Sequence, residues 1–167
     1  MRILTLLLLV GIGTAISVLF GVVHDQITYT LSPEFYNQVR FPQLGINSSE
    51  GRLGAGLVAF FSSWKIGFII SLVLSFTGLI HANNPKIIKF TFESFIIVMI
   101  TTSVFTAFGL VFNFLFGNSL SSTTSNNFTN PQFLIIQNIH NYTYLGSVIG
   151  MMIGIYWQFY RRKKQKN

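Results

Sequence analysis

Apolar residues fall along this chain in four blocks of about 20 or more, the length a helix needs to cross a hydrocarbon core roughly 30 Å thick. The first block runs from about Ile3 to Val23 behind a single Arg2. Signal-peptide cores usually hold about 7–15 apolar residues and end in a small-x-small site, so this longer run predicts a retained helix. The second block runs from about Leu53 to Ile80 and the third from about Ile87 to Phe116, long enough to tilt or project from a bilayer. Asn130-Pro131 reads as a cap-plus-proline helix start. From there a helix reaches Tyr160, with its last residues, about 141–160, forming the fourth span. The pattern predicts an all-α membrane protein with four transmembrane helices in a single domain, 1–167, and outer loops over about 24–52 and 117–140.

The polar stretches carry their own signals. Gln26-Ile27-Thr28-Tyr29-Thr30-Leu31 alternates and is rich in β-formers, predicting a short strand. Ser32-Pro33-Glu34 then reads as a helix start with a hydroxyl cap, a proline in the first turn and an acid beside it. That short helix is expected to stop near Arg40, because Pro42 opposes continuation. Phe35, Tyr36, Val39 and Phe41 suit a membrane interface, so the outer loop is expected to be partly structured. Residues 117–130 are mostly Ser, Thr and Asn, predicting a mobile loop.

Composition sharpens the class. Half of the residues are hydrophobic and only 9% are charged, far below the roughly 25% of a soluble domain. The chain has no cysteine, which excludes disulfides, thiol catalysis and cysteine-ligated zinc. The net charge of +7 is concentrated at one end, with Arg161, Arg162, Lys163, Lys164 and Lys166 in the last seven positions. A basic cluster directly behind an apolar span is a topology signal and a contact for anionic headgroups rather than a nucleic-acid site. With both termini cytoplasmic, that side holds Arg2, Lys86, Lys89 and the five tail residues, eight of the eleven basic residues.

Helices in lipid associate through small residues that allow close approach. Gly146, Gly150 and Gly154 share one face of the fourth span, and Ser63, Gly67, Ser71 and Ser75 share one face of the second. The two grooves predict contact between the second and fourth helices. Self-pairing of the fourth helix into a homodimer is the alternative.

Few residues can carry chemistry. Lys65 lies within the second span, roughly 24 Å from its cytoplasmic end at 1.5 Å per residue. Its stem can snorkel to the outer interface, towards Asp25 or Glu34. Glu93 lies near the cytoplasmic start of the third span, where Lys86, Lys89 and the Arg161–Lys164 cluster are within reach. At the outer face, His24 and Asp25 end the first span and His140 lies at the matching depth of the fourth, with Glu34 opening the short outer helix. Two imidazoles and two carboxylates suit zinc, iron or manganese, or a proton-responsive cluster. No phosphate loop, H-E-x-x-H or nucleophile elbow is present.

The run His24-Asp25-Gln26-Ile27-Thr28-Tyr29 leading into Ser32-Pro33-Glu34-Phe35-Tyr36 resembles that of an uncharacterised family of small bacterial multi-pass membrane proteins. His140-Asn141-Tyr142-Thr143-Tyr144-Leu145-Gly146 is similar to the start of their final helix. The resemblance covers about a fifth of the chain. It implies a bacterial inner-membrane protein and supplies no activity. The residues themselves leave three expectations: a non-enzymatic accessory protein or subunit with a membrane-protein partner, a metal- or proton-binding protein using His24, Asp25, Glu34 and His140, and, third, a transporter.

Overall fold

The computed structural model describes residues 2–124 and 131–165. Among these the chain is helical apart from short turns, with no strand. Four long helices, α1 (Arg2–Leu31), α4 (Gly51–Gly78), α5 (Asn84–Thr124) and α6 (Pro131–Lys164), form a bundle. Between α1 and α4 the chain folds into a helical cap made of α2 (Pro33–Phe35), a wide π turn (Tyr36–Arg40), α3 (Phe41–Leu44) and a 3₁₀ turn (Ser48–Glu50).

Three helices, Arg2–Leu31, Ser48–Gly78 and Asn84–Phe116, are long and apolar enough to cross a membrane. Leu4, Leu7, Leu8, Phe60, Phe68, Val104 and Phe114 are among many large apolar side chains turned outward. A water-soluble monomer rarely shows such continuous apolar surface, whereas helices facing lipid need it. α6 matches the others in length but carries Asn138, His140, Asn141 and Gln158 among its apolar residues, which makes it the most polar of the four.

The expected strand over 26–31 is instead the last part of α1. A lone strand there would leave its backbone groups unpaired, while the helix satisfies them internally. The Thr28 and Thr30 hydroxyls also turn back to the carbonyls of His24 (3.1 Å) and Gln26 (2.9 Å), which suits a helix. α1 ends where Ser32 caps α2 by accepting the Phe35 N–H (3.4 Å), so the Ser-Pro-Glu start stands as read. Pro42 does not stop the chain. The π turn shifts the hydrogen-bond register so that Phe41 N–H reaches the Tyr36 carbonyl, and Pro42 then sits in the first turn of α3, where no N–H is needed. The helix stops at Gly45, whose φ of 66° is left-handed. At the other expected loop, the backbone of α5 continues to Thr124, and residues 125–130 lie outside the described ones.

The helices pair differently from the expectation. The small-residue face of α4 meets α1: Gly67 abuts Ser17, Ser71 abuts Gly13, and Ser63 abuts Gly21. The glycine face of α6 meets α5, with Gly146 against Thr102 and Phe105, and Gly150 against the Val98 backbone. α4 and α6 touch only more sparingly, through Leu74 against Gly154 and a bond from Gln158 Nε2 to the Leu74 carbonyl (3.0 Å). Either groove accepts any helix of complementary shape, so the pattern left the pairing open. Ser94 Oγ to the Gly154 carbonyl (3.0 Å), Thr106 with Thr143 (2.8 Å) and Asn138 with Asn113 (3.2 Å) add polar ties between α5 and α6.

Gly150 tests this packing. A Cβ built there stands 2.9 Å from Val98 Cα, a backbone atom that moves only with its helix. Gly150→Ala is expected to cost about 1–3 kcal/mol, read as a lower unfolding midpoint in detergent. Gly11→Ala, with nothing within 4 Å, should leave that midpoint unchanged or raise it, since alanine favours a helix over glycine.

Candidate metal centre

α1 and α6 each bring one imidazole to the same level of the bundle. The His24 and His140 rings meet edge to face, with centroids 4.9 Å apart. Asp25 extends from the next position of α1, and its Oδ1 lies 3.3 Å from His140 Nε2. One ligand-type atom from each of His24, Asp25 and His140 falls within 4.8 Å of the others. His24 and Asp25 are buried and His140 is nearly so.

The hydrogen bonds decide what this cluster lacks. His140 Nδ1 lies 2.9 Å from the Ile136 carbonyl. A carbonyl only accepts, so Nδ1 carries the hydrogen, and in the neutral ring Nε2 then presents a lone pair. That lone pair faces a carboxylate oxygen at 3.3 Å, an arrangement that needs a proton or a metal cation between the two. His24 Nε2 and Asp25 Oδ2 are likewise buried without a hydrogen-bond partner. Buried polar atoms left unpaired cost free energy and call for an unseen partner. Two ligands each about 2.1 Å from a tetrahedral metal stand roughly 3.4 Å apart, close to the His140–Asp25 separation. The bond from His140 Nδ1 to a backbone carbonyl is the support that metal-bound histidines usually have.

Residues of the cap close the site from the loop side. Phe35 lies 6.0 Å from the His140 ring, centroid to centroid, and Tyr36 is fully buried. The Thr28 and Tyr36 hydroxyls share a 2.6 Å hydrogen bond, and Thr28 Oγ1 also lies 3.1 Å from the His24 carbonyl. Burial, followed by the nearby Asp25 carboxylate, pushes the Tyr36 phenol well above its usual range, so it stays protonated. Arg40 donates from Nη2 to Ser62 Oγ (2.8 Å), while its Nε is buried without a partner.

Glu34, expected as a fourth member, is exposed and is not one of the clustered ligands. It occupies the first turn of α2 and is exposed, whereas the neighbouring Phe35 and Tyr36 are buried. Lys65 is exposed beside Trp64 on the outside of α4, rather than at Asp25 or Glu34. Tyr36, Thr28 and Arg40 had no place in the expected site. Thr28 is one helical turn from His24, a spacing that reads as a shared face only once the segment is taken as helix.

The opposite end of the bundle is basic. Arg2 Nη2 donates to the Ala82 carbonyl (2.6 Å), and Gln165 contacts His81 (3.5 Å), so both ends of the chain meet the α4–α5 turn. Glu93 pairs with Arg161 (3.4 Å), one of the partners expected for it, and also accepts the Trp157 indole N–H (2.8 Å). Arg161 lies over the Trp157 ring at 4.8 Å. No protein-family model, curated protein or solved structure matches the chain.

His81, in the turn itself, stacks 4.6 Å from Phe90. Burial, then Arg162 and Lys86, lowers its pKa below the usual 6.5. Its folded-state pKa is the lower one, so the unfolded chain binds the proton more readily and stability rises with pH. The contribution is complete above the unfolded value of about 6.5 and is lost as pH falls below it. The unfolding midpoint of the wild type should therefore drop more steeply on acidification than that of His81→Phe.

Proposed function

We propose that this chain is a four-span membrane protein that holds a divalent metal ion, of the zinc class, at the outer end of its bundle. The ligands are His24, Asp25 and His140. The observation that carries the reading is His140 Nε2 set 3.3 Å from Asp25 Oδ1, with His24 Nε2 unpartnered beside them. Two imidazoles and one carboxylate leave a fourth position for water or a ligand. Iron or manganese suits the same donors with more open positions.

In this reading α6 is the fourth span, and both chain ends face the cytoplasm. The cluster of Arg2, Lys86, Lys89, Arg161, Arg162, Lys163 and Lys164 at one end supports that sidedness through the positive-inside rule. It also supports contact with anionic headgroups, which Lys166, outside the described residues, would extend. The motif around His24 and Ser32-Pro33-Glu34 supports a bacterial inner membrane. The accessory-subunit reading draws on packing glycines, but Gly146, Gly150 and Gly154 face α5 of the same chain. A transporter reading needs Lys65 or Glu93 on an internal path, and neither lines the bundle cavity.

Metal analysis of protein purified in mild detergent is expected to find about one zinc per chain on titration after chelation. Outer-shell changes alone cost roughly 10–100-fold in metal affinity, so His24→Ala or His140→Ala should each weaken binding at least that far. Glu34→Ala should bind like the wild type. Equal zinc uptake by the wild type and both histidine variants would sink the metal reading. A proton shared by His140 and Asp25 would then be the reading that survives.

A further inference from the structure

Below the three ligands the bundle is not filled. A cavity of about 90 Å³ extends from His24, Asp25 and His140 into the membrane-spanning region, as far as Gly13 on α1 and Ser71 on α4. From His24 to Gly13 is roughly 16 Å along α1 at 1.5 Å per residue, so the space is long and narrow. Ile16, Phe20, Ile66, Ile70 and Val98 make its walls chiefly apolar. Several hydroxyls on the wall have already given their protons to backbone carbonyls: Thr102 to Val98 (2.7 Å), Thr143 to Ile139 (2.9 Å) and Ser147 to Tyr144 (2.8 Å). Ser17, Ser62, Ser63 and Ser71 add hydroxyls to an otherwise apolar wall.

The polar end is built differently. Besides the three ligands it holds Arg40, a cation whose Nε has no partner. His24 Nε2 and Asp25 Oδ2 are also unpartnered, on residues more than nine-tenths buried. A slot with an apolar shaft and a polar head region that includes Arg40, set within a membrane-spanning bundle, suits an amphiphile. We propose that it binds a single acyl chain ending in an anionic oxygen group. The tail lies along Ile66 and Ile70, and the head completes the metal's coordination beside Arg40. This rests on the metal reading, because Arg40 alone only offsets the Asp25 carboxylate and the metal supplies the remaining positive charge.

Native mass spectrometry of delipidated protein tests it, with laurate as the free-acid probe and lysophosphatidylglycerol as the phosphate-headed one. Zinc-loaded wild type is expected to take up one laurate, and chelation should weaken that binding at least tenfold. Ile66→Trp fills the shaft without touching a ligand, so it should lose laurate at least tenfold while keeping its zinc. Ile70→Phe gives the same comparison should the tryptophan variant not fold. Preference for the lysolipid over laurate would assign the head to a bilayer phosphate, and the reverse to a free carboxylate. Undiminished laurate binding by both shaft variants would overturn the proposal. Zinc uptake without laurate binding overturns the slot and leaves the metal centre standing; laurate binding without zinc uptake overturns both the metal centre and the metal-held head.

Discussion

Close approach of helices through small residues is the constraint on which the rest of this molecule depends. Lipid tails are as apolar as leucine, so burying a leucine between helices gains little over leaving it in the bilayer. Contact area has to come from removing side chains. Gly13, Gly21 and Gly67 do this between α1 and α4, where each abuts a serine of the other helix. Gly146 and Gly150 do it between α5 and α6, where the facing atoms include backbone. Two tight pairs result, and their looser mutual contact leaves the central slot.

The placement of the histidines follows from that arrangement. α1 and α6 belong to different pairs, yet they face one another at the end beneath the cap, where His24 and His140 come together. The cap over 32–50 then closes that end with Phe35, Tyr36 and Phe41, in contact with Ala55 and Val58 of α4 and Ile136 and Ile139 of α6. A carboxylate enclosed in this way is costly unless it is paired or coordinates a cation. With His140 Nδ1 bonded to the Ile136 carbonyl, Nε2 and Asp25 Oδ1 stand 3.3 Å apart and need a proton or a metal between them. At the basic end no such demand arises, because Glu93 has both Arg161 and an indole N–H.

Some of this was legible from residues alone. The matching depths of His24 and His140 followed from counting along helices at a fixed rise, which needs no knowledge of packing. The Ser32-Pro33-Glu34 start was legible because capping is decided within one turn. Rotation about a helix axis is not local, so Glu34 was grouped with residues that it does not face. Gln26–Leu31 was misread because alternation also occurs by chance in a helix whose polar residues bond back to their own backbone. Phe35, Tyr36 and Phe41, expected at a membrane interface, are instead buried within the cap. Arg40 had no expected role, since the π turn over Tyr36–Arg40 depends on how the cap is packed.

By itself the sequence determined the helical class, the apolar lengths, the gathering of basic charge at one end and the depth of each polar residue, because all of these are properties of a chain read one turn at a time. Tertiary structure alone decided that α4 pairs with α1 and α6 with α5, that Glu34 stands apart, and that Asp25 lies against His140. Those outcomes depend on which of several compatible surfaces lose least by meeting, a comparison among helices 115 residues apart at the Asp25–His140 contact, and no local pattern encodes it.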